Sequence, residues 1–261
     1  MTTATRLSLR DAPIETSALQ GGREYQQDAS TWLRATEPGT DHPFIVAAVA
    51  DGMGSGKDSD LIADDAVFLA ATIAAAHGPD SPDAAIRAAR EIIAVQHEDR
   101  GECDNSTLVL ATVANGVVGV AWVGDSRAYV LDSRGRLHRL TKDHNRAPCA
   151  PNVLTRTLLG TPDHQCGSSD NCAEHTPEFA EFGIPVHDGG AERVLLCTDG
   201  VCGVLDDARV AEILRDAPNP NRAAKRLTGE AVRVATAAGL KADNATALVI
   251  DLADFRAEAN K

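Results

Sequence analysis

The chain has 261 residues, of which 43% are hydrophobic and 24% charged, and its formal net charge is −13. This composition is typical of a globular protein and argues against a disordered or fibrous one. The excess of carboxylates provides no general attraction for the phosphates of nucleic acid or for an anionic membrane surface, so we expect neither as a partner.

The sequence contains no pattern for a membrane span or for secretion. The longest apolar stretch, residues 66–76, has 11 residues even with Thr72 counted in, whereas a membrane helix needs about 20. The N-terminal segment lacks the apolar core of a signal peptide. We therefore expect a cytoplasmic protein whose six cysteines are reduced and mostly buried.

Hydrophobic periodicity and turn residues divide the chain into strands and helices. In chain order they predict a loose lead-in or first edge strand within residues 1–20, strands at 29–33 and 44–50, a glycine-rich loop at 51–56, helices at 60–77 and 82–98, strands at 107–113, 117–123, 127–131 and 136–140, a strand at 193–198, helices at 207–216 and 220–237, and a last strand at 245–251.

The clearest local pattern lies in the middle of the chain. Two apolar runs, at residues 107–113 and 117–123, flank Asn115-Gly116, a pair that readily adopts the positive φ angles of a type I′ hairpin turn. Two more short strands follow without a helix between them, which indicates an antiparallel meander. The order of strands and helices predicts an α+β domain with helices packed outside sheets.

Residues 145–190 differ from the rest of the chain, because they are rich in Pro, Gly, Asp, Asn and Ser and show little periodicity. This predicts a long, partly irregular insertion, and such segments are often functional. It contains His164, Cys166, Cys172 and His175. Their spacing fits no common zinc pattern, so ordinary loop residues are favoured over a small zinc site or a labile disulfide.

Aspartates recur where predicted strands begin or end, each beside a small or turn-forming residue. They are Asp28, Asp51, Asp125, Asp199 and Asp243. Strand ends at one rim of a sheet can bring distant carboxylates together, and clustered carboxylates need cations or protons to offset their repulsion. Oxygen ligands without His or Cys suit Mg²⁺ or Mn²⁺ better than Zn²⁺. One Asp-Gly pair alone favours an ordinary turn, whereas five such aspartates favour a metal site.

Six short segments, five of which contain these aspartates, add a second signal. They are REYQQD at 23–28, ADGMG at 50–54, VGDSRAY at 123–129, LTKDH at 140–144, CTDGV at 197–201 and DNAT at 243–246. In this order they resemble the motifs of the metal-dependent protein phosphatases of the PPM, or type-2C, family in its bacterial form. The resemblance covers about residues 20–252.

The resemblance implies a four-layer α-β-β-α sandwich of two antiparallel sheets flanked by helix pairs. It places the phosphatase domain at residues 20–252, with a lead-in at 1–19, a flap at 145–190 and a tail at 253–261. The implied activity is hydrolysis of phosphoserine and phosphothreonine in proteins by a hydroxide between two Mn²⁺ or Mg²⁺ ions, without a covalent intermediate. Substrates of a Ser/Thr kinase and a monomeric state are the corresponding expectations.

The resemblance also assigns roles to the aspartates. Asp51 is expected to bridge the two metals, with the carbonyl of Gly52 as a further ligand. Asp199 and Asp243 are expected to bind one metal, and Asp28 is expected to hold the water shell of the other.

The resemblance assigns two further roles. Asp125, together with Asp199, matches the site of a third, weaker metal, and Arg23 is expected to hold the substrate phosphate, for which a guanidinium is well shaped. The expected catalytic residues are thus Arg23, Asp51 and Asp199.

Gln27 stands where the family usually has Glu, and Met53 stands where eukaryotic members carry a His. The alternatives are a catalytically weak pseudophosphatase that acts as a binding module, and a hydrolase of a small phosphorylated metabolite.

Overall fold

The computed structural model describes residues 13–54, 59–97, 104–146, 150–160, 177–183 and 191–252. Its elements are β1 (Ile14–Leu19), β2 (Asp28–Thr36), β3 (Pro43–Met53), α1 (Ser59–His77), α2 (Pro82–Gln96), β4 (Asn105–Ser106), β5 (Leu108–Ala114), β6 (Val117–Val123), β7 (Arg127–Asp132), β8 (Leu137–Arg139), β9 (Asn145–Arg146), β10 (Ala150–Leu154), β11 (Glu178–Gly183), β12 (Ala191–Cys197), α3 (Asp199–Cys202), α4 (Asp207–Asp216), α5 (Pro220–Ala237) and β13 (Ala245–Asp251).

Two antiparallel sheets pack face to face. The first has the strand order β1-β13-β12-β7-β8 and the second has the order β11-β6-β5-β3-β2. Helices α1 and α2 cover the outer face of the second sheet, and α4 and α5, with the short α3, cover the outer face of the first. The predicted α-β-β-α sandwich is confirmed.

The strand β3 shows why the central strands are continuously apolar. Val46 and Ala48 belong to the core beneath α1 and α2, whereas Ile45, Ala47 and Val49 belong to the core between the two sheets. Because successive side chains of a strand point to opposite faces, a strand with both faces covered needs apolar residues at every position.

The strand β3 is longer than the sequence predicted. We predicted that it ends at residue 50, but it continues through Asp51 to Met53. The extension is held by a partner distant in sequence, since Gly52 pairs with Ser106 and Met53 pairs with Asn105.

The predicted irregular insertion at 145–190 contains β9, β10 and β11. β11 pairs with β6 from Glu178 to Gly183 and forms one edge of the second sheet. His164, Cys166, Cys172 and His175 lie outside the described residues. At the other end of the chain, β1 pairs with β13 along its whole length. Of the two structures predicted within residues 1–20, a loose lead-in or a first edge strand, residues 14–19 form the edge strand.

The helices α4 and α5 begin where the sequence predicted, because each has a side-chain cap. Asp206 accepts a hydrogen bond from the N–H of Arg209, and Asn219 accepts one from the N–H of Arg222. Both caps satisfy donors that lack a partner in the first turn. Across the described ranges, we find no helix that combines the length and the apolar character needed to cross a membrane.

Candidate metal centre

The predicted aspartates converge at one end of the sandwich, around an open cleft of about 470 Å³. The cleft is lined by Asp51, Asp125, Asp199 and Asp243, with Arg23 on the same wall. Asp28 lies beside them, directly opposite Asp51 in the β2–β3 ladder. Both sheets therefore contribute carboxylates to one place, as the strand-end pattern predicted.

The carboxyl group of Asp28 is buried next to the first sheet. Its Oδ2 accepts a 2.8 Å hydrogen bond from Oγ1 of Thr198, whereas its Oδ1 is buried without a hydrogen-bond partner. Burial raises the pKa of Asp28 to about 7, and the charges of Asp199 and Asp243 act in the same direction.

The backbone of Asp51 is fixed by β-type contacts with the segment before β5. The N–H of Asp51 donates to Oγ1 of Thr107 at 3.0 Å, and the N–H of Thr107 donates to the Asp51 carbonyl at 2.9 Å. Burial, followed by the charges of Asp28 and Asp199, raises the pKa of the Asp51 carboxyl well above its ordinary value.

Asp199 begins α3, immediately after β12, and it is held close to the start of β13. The next residue, Gly200, approaches the chain so closely that a Cβ there would lie 1.8 Å from the Asn244 carbonyl oxygen. Burial raises the pKa of Asp199, and its Oδ1 is buried without a hydrogen-bond partner.

Asp125 follows β6 in a tight turn that leads into β7. It is 8% exposed, and burial, with the charges of Asp199 and Asp143, raises its pKa to about 7. The turn depends on Gly124, whose φ of +102° would strain any other residue. The same glycine packs against Thr107, because a Cβ there would lie 2.6 Å from the threonine side chain.

Arg23 and Asp243 form an ion pair on the rim of the cleft, with 2.5 Å between Nη2 and Oδ2. The hydrogen bond to Asp243 raises the pKa of Arg23. The Arg23 side chain is 44% exposed, and its charge offsets part of the carboxylate cluster.

Comparison with known proteins identifies the family. The protein phosphatase 2C family model matches residues 16–231, most of the chain. The chain belongs to the protein phosphatase 2C family.

The relatives and solved structures agree with this assignment. The serine/threonine protein phosphatase PstP of Mycobacterium tuberculosis is 30% identical over 227 residues, which are 80% of this chain and 40% of PstP. The chain thus spans less than half the length of that relative. The Listeria innocua phosphatase stp is 27% identical over 194 residues, covering 66% of this chain and 72% of stp.

Two solved structures show the same fold. The PstP catalytic domain, solved in complex with two manganese ions, superposes with a TM-score of 0.67 at 24% identity, covering 92% of this chain and 98% of that one. The type-2C phosphatase of Toxoplasma gondii superposes with a TM-score of 0.73 at 19% identity, covering 92% and 95%.

The donors of this phosphatase 2C chain fit divalent cations. Over the described residues, no group of three or more His, Cys, Asp or Glu side chains meets the geometry of a metal site. The carboxylates around the cleft are nevertheless all hard oxygen donors, which Mg²⁺ and Mn²⁺ prefer. Two of their oxygens, Oδ1 of Asp28 and Oδ1 of Asp199, are buried without a hydrogen-bond partner. A buried polar atom without a partner is costly, and a cation would remove that cost.

Sequence reasoning missed the polar residues that join the carboxylate segments of this phosphatase 2C domain. Asn244 is the main one: its side chain accepts from the N–H of Gln27 and donates to the carbonyls of Gln20 and Tyr25. The Asn after Asp243 was a visible signal, because Asn commonly bonds to nearby backbone, but its partners lie more than 200 residues away.

Gln27 lines the cleft, but its amide is used for structure. Its Nε2 donates to Oγ of Ser59 at the start of α1 and to the carbonyl of Gly54. The amide therefore joins the loop after β3 to the first helix of the phosphatase 2C fold.

Proposed function

We propose that this chain is a divalent-cation-dependent phosphatase that hydrolyses phosphoserine and phosphothreonine in proteins. Family membership supports the reaction class. The observation that carries the proposal is the convergence of four aspartates and an arginine on one open cleft, at the end where the two sheets meet.

Two bound cations, Mn²⁺ or Mg²⁺, with a weaker third, would supply an activated water and neutralise the phosphoryl oxygens. On the proposed assignment, Asp51 would hold the cations from the second sheet, with the Gly52 carbonyl as a further ligand. Asp199 and Asp243 would hold one cation from the first sheet. Asp28 would hold the water shell of the other, and Asp125 with Asp199 would hold the weaker third.

The residues on the cleft wall favour direct attack by water. Among the described lining residues there is no Ser, Cys or His. Among those described residues, Thr107 carries the only hydroxyl, and its Oγ1 already accepts from the Asp51 N–H and contacts Oγ of Ser126 at 2.7 Å. An aspartate could also act as a nucleophile, but on the proposed assignment the aspartates would bind cations or their water shell. We therefore propose that no covalent phosphoenzyme forms.

Arg23 is proposed to bind the substrate phosphate. Its guanidinium is half exposed beside the carboxylates and pairs with Asp243. With a cation at Asp243, the N–H groups of Arg23 would be available to phosphoryl oxygens, which match the fork of a guanidinium. Arg23 therefore aligns the phosphate relative to the attacking water.

The proposal extends to the setting of the reaction. We propose cytoplasmic phosphoproteins of a Ser/Thr kinase as substrates and a monomeric enzyme. The alternative of a catalytically weak pseudophosphatase is not favoured, because each of the five predicted aspartates lies at the cleft or directly beside it.

Hydrolysis of p-nitrophenyl phosphate and of a phosphothreonine peptide tests the proposal. We expect turnover with Mn²⁺ or Mg²⁺, loss of turnover with a chelator, and at least about a 100-fold loss in Asp199→Asn, since that residue would hold a cation. Asp41→Asn, which makes the same change at an exposed turn, should keep full activity. Substantial turnover by Asp199→Asn would refute its role, and no turnover by the unmodified chain would favour the pseudophosphatase.

A further inference from the structure

We propose that the part of the cleft lined by Leu240 and Lys241 is a peptide subsite that selects phosphoproteins with an apolar residue and an acidic residue beside the phosphorylated one. The inference rests on the proposed function and adds a substrate preference to it. Leu240 and Lys241 are the residues that would determine this preference.

The size and lining of the cleft give the first argument. A cleft of about 470 Å³ is in the range that encloses a drug-sized ligand, far more than one phosphate group. Besides the carboxylates, the residues that line it include Leu154, Val204, Ala235, Leu240 and Lys241. These residues are apolar apart from a single cation, which suits peptide side chains rather than metal ions.

The backbone that carries Leu240 is fixed in place. The N–H of Leu240 donates to the Ala235 carbonyl and the N–H of Gly239 donates to the Thr236 carbonyl, each at 3.0 Å. With Gly239 at a φ of +75°, this is the Schellman ending of α5. The side chain of Leu240 is nevertheless left 65% exposed. An apolar side chain on a rigid backbone loses little further freedom when it binds a partner.

Lys241 is the next residue on the same loop, and it is exposed. Its stem packs against the backbone of Gly22, where a Cβ would lie 3.1 Å from its Cγ. The loops are joined at this point by a 2.8 Å hydrogen bond from the N–H of Gly22 to the carbonyl of Ala242. The ammonium group therefore starts from a defined position at the rim.

The two positively charged side chains of the cleft, Arg23 and Lys241, differ in their ion-pair partners. Arg23 is paired with Asp243, whereas the described part of the chain provides no ion-pair partner for Lys241. Lys241 is two residues from Asp243, a chain distance of at most about 7 Å. A substrate with its phosphate at the carboxylate cluster would therefore bring a neighbouring residue within reach of Lys241, and charge complementarity favours Asp or Glu there.

A set of matched phosphothreonine peptides tests the preference. The peptides carry Asp or Asn, and Leu or Gly, on either side of the phosphothreonine, and kcat/KM is measured for each. We expect the protein to prefer Asp over Asn about fivefold and Leu over Gly about fivefold, mainly through KM. Lys241→Glu should reverse the first preference, and Leu240→Ser should remove the second.

Lys225→Glu is the matched control, because it makes the same charge change on the exposed face of α5 away from the cleft. It should keep both preferences. Equal kcat/KM for all peptides would overturn the inference. An equal loss by Lys241→Glu on every peptide and on p-nitrophenyl phosphate would also overturn it, since Lys241 would then bind the phosphate itself.

Binding measurements separate this inference from the proposed function. Fluorescence anisotropy with the same labelled phosphopeptides and the unmodified chain reports their affinities directly. Should no peptide be hydrolysed, the proposed function fails, but a retained preference for Asp and Leu in binding would still support the subsite. A loss of both preferences in binding would overturn it.

Discussion

Gln27 stands at a position where the motif resemblance predicts a glutamate. Its amide donates to Oγ of Ser59 and to the Gly54 carbonyl, and a carboxylate could not donate to that carbonyl. Gln27→Glu would also add a negative charge beside carboxyls that already repel one another. We expect the variant to melt about 3–5 °C lower in a chelator, on the scale of 1–2 kcal/mol, and to gain more stability from Mn²⁺ than the unmodified chain.

Differential scanning calorimetry with and without Mn²⁺ measures both effects. Gln96→Glu is the control, because it makes the same substitution at the exposed end of α2 and should respond to Mn²⁺ like the unmodified chain. An identical Mn²⁺ response in the two variants would show that residue 27 does not influence the cations.

The candidate ligands could be found from sequence because each aspartate stands beside a turn residue where a strand begins or ends. The contacts that bring these aspartates together could not be found from the sequence. The hydrogen bond from Thr198 to Asp28 spans 170 residues, and the Arg23–Asp243 pair spans 220. Neither residue pair carries a local signal. Lys241 was missed for the same reason, since its position at the rim depends on packing against Gly22.

The short helix α3, which begins with Asp199, is anchored by an arginine from another element. Arg127, at the start of β7, donates to the Cys202 carbonyl at 2.9 Å and forms a paired hydrogen bond with Asp143 at 2.7 and 3.0 Å. The side chains of this pair are only 18% and 13% exposed. Arg127→Ala should therefore destabilise the fold by about 2–4 kcal/mol.

Urea unfolding measures this loss. Arg87→Ala provides the comparison, because its ion pair with Asp83 is 3.4 Å long and largely exposed, and it should cost at most about 0.5 kcal/mol. A similar small loss in both variants would mean that Arg127 does not anchor α3.

Alanine substitutions at two helical glycines should have opposite effects on the stability of the protein. A Cβ on Gly229, in the middle of α5, meets nothing within 4 Å, so Gly229→Ala should stabilise the protein by about 0.5–1 kcal/mol through helix propensity. A Cβ on Gly200 would lie 1.8 Å from the Asn244 carbonyl oxygen, and Gly200→Ala should separate α3 from β13 and abolish activity. Thermal melting of the two variants checks both signs, and equal melting temperatures would contradict the close approach at Gly200.

Elements with local signals were predicted closely, and elements that depend on distant partners were not. The helices at 207–216 and 220–237 and the strand at 245–251 match the structure, because their caps and hydrophobic periodicity are local features of the sequence. The end of β3 and the strand β11 were missed. Each is completed by pairing with a strand far away in sequence, β4 in one case and β6 in the other.

At the scale of the whole molecule, the carboxylate cluster lies on the boundary between the two sheets. Asp28 and Asp51 belong to strands of the second sheet, whereas Asp199 and Asp243 flank strands of the first. Their mutual repulsion therefore acts between the two halves of the sandwich. Cations bound there would join the sheets, so the stability of the entire domain should depend on how the carboxyls are neutralised.

The stability of the folded protein should then fall as pH rises when only protons neutralise the carboxyls. It should not fall when cations neutralise them. The pKa values of Asp28 and Asp125 are raised to about 7 by burial, above the ordinary value of about 3.9 that applies in the unfolded chain. Between these values the folded protein binds more protons than the unfolded one, so the free energy of unfolding falls as pH rises. In a chelator, we expect the melting temperature to fall by about 5–10 °C between pH 5 and pH 8.

Mn²⁺ should remove this fall, because a cation that replaces the protons binds more tightly as the carboxyls ionise. Melting curves from pH 5 to pH 8, with chelator and with saturating Mn²⁺, should therefore diverge as pH increases. The double variant Asp28→Asn with Asp125→Asn should flatten the chelator curve, since it removes two of the groups that titrate. Parallel curves with and without Mn²⁺ would contradict the account, because cation binding would then be independent of the ionisation of these carboxyls, and the repulsion between the sheets would not be what the cations relieve.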